Sequence, residues 1–126
     1  MTADALQRDA LIVVCAISAG IHAAFAPAHF AEGAGAGLGF AAAAVALAGL
    51  GAALSVAPRS RAARFGALAV LAGLLASYAL AVTSGLPVLH PEPEPIDGLA
   101  VATKAIETAG LLAALNLLPR TKGTLA

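Results

Sequence analysis

From Gly33 to Ala57 the chain carries no charged side chain, and three further stretches are nearly as apolar. A helix needs about 20 mostly apolar residues to cross the hydrocarbon of a bilayer. Each of the four stretches approaches that length. Only closed helices or barrels satisfy their backbone groups in lipid, and runs this long and apolar point to helices. The spacing predicts four of them, over 6–26, 30–57, 63–84 and 96–118, with a non-helical outer loop at 85–95. Seven basic and seven acidic residues make up 11% of 126 positions. A soluble domain carries roughly 25%, and one this small has a large surface to cover. The expected fold is therefore all-α, a single integral-membrane four-helix bundle of up-down-up-down topology.

Orientation follows from the basic residues. Arg59, Arg61 and Arg64 occupy the link between helices two and three, Arg120 and Lys122 follow helix four, and Arg8 precedes helix one. The other two links hold neither Lys nor Arg. Positive residues stay cytoplasmic, so both termini and the middle link are expected inside, in a multi-pass protein of the plasma (inner) membrane. Ala24-Phe25-Ala26 before Pro27 has the form of a signal-peptide cleavage site. Met1 to Asp9, however, holds one Arg and two Asp rather than a basic cluster, which favours a retained first span. A net charge of zero and no basic run exclude a nucleic-acid footprint. The single Cys15 supplies neither an internal disulfide nor a Cys-rich zinc motif.

Small residues at close spacing suggest where helices meet, because lipid competes for larger apolar side chains. Helix two offers Gly33-x-x-x-Gly37 and Gly35-x-x-x-Gly39, and helix three a stripe of Gly66, Gly73, Ser77 and Ser84.

Ionisable groups at membrane depth are costly and are functional candidates. All three histidines fall toward the outer side, with His22 late in helix one, His29 at the first outer turn and His90 in the second outer loop. Pro27 is expected to turn the chain at Ala26-Pro27 and bring His29 back above His22. Glu32 follows His29 by three, on one face at the start of helix two. Two imidazoles and a carboxylate suit Zn²⁺, Cu²⁺ or Fe²⁺, with Glu107 or His90 as further ligands. The absence of a Met cluster and of paired Cys favours Zn²⁺ or Cu²⁺ over Cu⁺. The alternative is that His22 bonds a backbone carbonyl while His29 and Glu32 sit among headgroups.

On helix four, Asp97, Lys104 and Glu107 lie within about 100° of one another. Lys104 and Glu107 are one turn apart and can pair, which lowers the cost of burying both. That set reads either as a structural ion pair or as a titrating carboxylate reached from outside. Cys15 shares a stripe with Leu11, Ser18 and His22 and reads as a small buried side chain. Four prolines between Leu86 and Pro95 make the outer loop stiff and extended, with Glu92 and Glu94 as a solvated acidic rim.

These residues resemble a group of small, uncharacterised four-helix membrane proteins of high-GC, actinobacterial bacteria. The resemblance rests on His22, on Pro27-Ala28-His29-Phe30-Ala31-Glu32, on Gly85-Leu86-Pro87, on the Pro-Glu-Pro segments at 91–95 and on Glu107. Two positions depart from the pattern. Gly33 stands where an aromatic residue is expected, and Val82-Thr83-Ser84 lacks an expected basic residue. The resemblance implies His22, His29, Glu32 and Glu107 as a set and implies no reaction. Three functions fit the sequence: an outward-facing metal site, an accessory subunit packed against a larger membrane enzyme or transporter, and a proton- or ion-conducting homo-oligomer using Glu107 and Lys104. A free-standing enzyme fits less well, since no nucleophile stands beside a base.

Overall fold

A computed structural model describes residues 1–87 and 91–119. Its four helices are α1 (Ala3–Glu32), α2 (Ala34–Val56), α3 (Arg61–Thr83) and α4 (Gly98–Asn116). All four are long and apolar enough to cross a membrane. At 1.5 Å per residue, α1 is about 45 Å long, well beyond a hydrocarbon core of about 30 Å.

Local chemistry sets most of the ends. Thr2, Ser60 and Asp97 each accept a backbone N–H with the side chain and start α1, α3 and α4. Gly85, in the left-handed region at φ 78°, follows the end of α3. Pro27 does not end α1, which corrects the expected turn at Ala26-Pro27 and the helix end near residue 26. A proline removes one ladder hydrogen bond, a tolerable loss in a long apolar helix with good helix formers on both sides. The chain reverses six residues later, at the single residue Gly33. His29 and Glu32 therefore lie on the last turns of α1 rather than at the start of α2.

Side-chain contacts fix the topology. Val14 of α1 meets Gly110 of α4, Cys15 meets Gly51 of α2, and Leu50 of α2 meets Gly66 of α3. Successive helices are antiparallel, with α1 and α3 each touching both α2 and α4. The bundle thus has an arginine end, holding Arg59, Arg61 and Arg64, and a histidine end, holding His22 and His29. Arg64 ties the arginine end together, donating to the carbonyls of Pro58 (2.8 Å) and Leu117 (3.1 Å). A cation at that place also suits the exposed carbonyls ending α4.

The core occupies the arginine half. Leu11, Leu47, Leu54 and Leu71 are fully buried there, with Ala67 and Ala114 between them. Of the expected small-residue contacts, Gly37 lies beneath the Phe30 ring and Gly66 beneath Leu50, whereas Gly33, Gly39 and Gly73 have open space where a Cβ would stand. Gly39 borders a cavity, so the contact stripe of α2 does not extend along the whole helix.

Candidate functional site

At the middle of the bundle, four side chains make a polar layer in a largely apolar interior. Ser18, one turn before His22 on α1, donates from Oγ to Glu107 Oε2 at 2.8 Å across the α1–α4 contact. Lys104 donates to the other oxygen, Oε1, at 2.6 Å. Glu107 is fully buried, and only 17% of the Lys104 side chain is exposed. The ammonium also lies 5.5 Å from the centroid of the Tyr78 ring on α3, within cation–π range. His22 Nδ1 lies 2.8 Å from the Ser18 carbonyl. A carbonyl only accepts, so Nδ1 carries the proton and, in the neutral ring, Nε2 is left as an acceptor.

Above this layer lies a cavity of about 280 Å³, bounded by the histidine-end halves of all four helices. Phe25, Phe40, Leu74 and Leu99 supply apolar wall; His22, Tyr78 and Lys104 are among its polar groups, and the acidic Glu94 and Asp97 also line it. Phe40 of α2 stands against both histidines. The His29 ring stacks on it at 3.6 Å and 16°, and the His22 ring lies tilted at 5.2 Å.

The mouth of the cavity holds a second cluster. His29, Glu32 and Glu94 each offer a ligand atom, and these atoms all lie within 4.8 Å of one another. His29 donates from Nδ1 to the Phe25 carbonyl at 2.9 Å, the geometry that fixes the tautomer of metal-binding imidazoles and leaves Nε2 to ligate. Glu94 is held from the far side, because its backbone N–H donates to the Ala81 carbonyl at the end of α3 at 2.7 Å.

The structure therefore divides the residues expected to act together. His29 and Glu32 stand at the mouth, whereas His22 and Glu107 belong to the polar layer below. With α1 unbroken at Pro27, seven residues of helix separate the two histidines by about 10 Å along the axis. The ligand atoms that converge within 4.8 Å are those of His29, Glu32 and Glu94, without His22. His90 lies outside the described residues. Asp97, grouped with Lys104 and Glu107 by helical spacing, is instead the N-cap of α4, accepting from Ala100 N at 2.8 Å. From that position it lines the same cavity as Lys104.

Ser18, Phe40, Tyr78 and Glu94 were not singled out by sequence as ligands or partners. For Glu94 a signal existed: in a proline-rich segment with three residues per turn, Glu92 and Glu94 point about 120° apart, so one of them can face the bundle while the other faces away. Ser18 sits on the Leu11-Cys15-Ser18-His22 stripe, but its partner on α4 depends on how the helices pack. No protein-family model, curated protein or solved structure matches the chain. The geometry alone carries the functional reading.

Proposed function

We propose that the chain is a four-span integral membrane protein that binds a divalent transition metal ion at its outer mouth through His29, Glu32 and Glu94. The observation that carries this reading is the convergence of the three ligand atoms within 4.8 Å. One imidazole and two carboxylates are borderline-to-hard ligands and leave room for water or a fourth group, which suits Zn²⁺ first and Cu²⁺ second. Stacking on Phe40 and the bond to Phe25 orient the imidazole before any ion arrives. Small side-chain movements would shorten the ligand separations to those of a tetrahedral ion.

Equilibrium dialysis of the purified protein with Zn²⁺, read by elemental analysis, should give one ion per chain. His29→Ala and Glu94→Gln should each weaken binding at least tenfold, the usual effect of losing a ligand or its support. Glu107→Gln, if folded, should leave it unchanged. Acidification should displace the ion because protons compete for the ligands. Zn²⁺ retained at full affinity by His29→Ala would reject the site.

The membrane part of the proposal rests on the exposed apolar faces, with Leu38, Val45 and Leu112 each more than half exposed, and on the confinement of Arg59, Arg61, Arg64, Arg120 and Lys122 to one end of the pattern. That bias puts the termini and the 57–60 link in the cytoplasm and the His29 mouth outside. Reporter fusions after Ala57 and after Pro91 should report opposite sides. The same side for both would overturn the topology.

A further inference from the structure

The cavity shares His29 and Glu94 with the proposed ion site at its mouth, and deeper in it Tyr78 and Lys104 add further chemistry. Tyr78 lines it, and its buried hydroxyl has no hydrogen-bond partner among the described residues. A buried hydroxyl left unpaired is costly, and native interiors rarely tolerate it without a reason. Lys104 also lines the cavity with one ammonium proton committed to Glu107, leaving two donors. Lys104 thus presents donors from α4 to a space walled by Phe25, Phe40, Leu74 and Leu99, and a small turn of the Tyr78 ring would open its enclosed hydroxyl to the same space from α3. Few polar groups in an apolar pocket are the mark of a small-molecule site.

We infer that this cavity binds a small neutral carbonyl compound, with its oxygen accepting from the Tyr78 hydroxyl and the Lys104 ammonium and its ring lying against Phe40 and Phe25. Charge decides between a neutral ligand and an anion. Glu107 already balances Lys104, and Glu94 and Asp97 also line the cavity, so a carboxylate entering it would add an uncompensated negative charge, whereas a carbonyl brings none. Size limits the ligand further. A dry cavity of about 150 Å³ holds benzene, so about 280 Å³ takes a single ring with a short substituent. Entry from the lipid phase suits such a molecule, which partitions there.

The test uses the full chain in lipid nanodiscs with three probes of similar size: acetophenone, its carbonyl-free analogue cumene, and benzoate. Binding is read by saturation-transfer NMR and by thermal unfolding. Gly39→Leu serves as the blocked control, because Gly39 borders the cavity and a Cβ there meets no atom within 4 Å. Acetophenone should bind the native protein and raise its unfolding midpoint, and Gly39→Leu should abolish both effects. Tyr78→Phe should weaken acetophenone about tenfold, the worth of one hydrogen bond, and leave cumene unchanged. Zn²⁺ binding should be the same in Tyr78→Phe and native protein, which keeps this result separate from the fate of the mouth site. Equal binding of acetophenone to native and Tyr78→Phe protein would overturn the assignment of the hydroxyl. Benzoate binding more tightly than acetophenone would overturn the charge argument, and probe binding that survives Gly39→Leu would remove the cavity from consideration.

Discussion

Glu107→Gln is expected to lower the unfolding free energy in mild detergent by about 3–5 kcal/mol, the cost of leaving one member of a buried ion pair alone. The carboxylate is fully buried and accepts from both Lys104 and Ser18. A Gln amide keeps one acceptor but loses the charge that balances the ammonium. The double variant Lys104→Met with Glu107→Leu removes both charges, and should recover most of that loss, since apolar replacements of a whole buried pair are often neutral. Chemical denaturation of the three proteins separates the cases. A single variant as stable as the native chain would show that Lys104 reaches water through the cavity and needs no counter-charge.

Gly110→Ala is expected to cost about 1–3 kcal/mol, by overpacking. A Cβ at this position would stand 2.5 Å from Val14 Cγ1 and 3.2 Å from Leu71 Cδ1, so it drives α4 away from α1 and α3 together. Val14 is branched at Cβ and has little freedom to swing aside. Gly20→Ala is the matched comparison, because a Cβ there meets nothing within 4 Å. It should gain up to about 1 kcal/mol from helix propensity. Opposite signs for two identical substitutions locate the tight contact at the α1–α4–α3 junction. Matching signs would place that contact elsewhere.

Four helices were legible because charge interrupts apolar sequence at regular intervals, and no tertiary information is needed to see that. The pairing of Lys104 with Glu107 was legible for a similar reason, as residues one turn apart on a single helix. What failed was reasoning across an element boundary. Pro27 reads as a stop signal, yet the helix absorbs it, and this one local outcome moves His29 and Glu32 onto α1 and separates His29 from His22. Asp97 caps α4, a role set by its place just outside the helix. Tyr78 and Phe40 carry no local signal, because their roles depend on which helices are neighbours and where packing gives way to cavity.

The one-residue join at Gly33 has a consequence for how the protein is assembled. With so short a tether, α1 and α2 meet as soon as both exist, at minimal loop-closure cost. The contact of Ser18 with Glu107 spans 89 positions and must wait for the last helix. Hence the first hairpin matures alone, with Ser18 facing a vacant flank until α4 docks and brings its own counter-charged pair. Glu94 reaches His29 and Glu32 only at that same stage, since it lies on the segment leading into α4. An ion at the mouth would then act as a clasp between an early half and a late half of the chain, slowing their parting more than it speeds their meeting.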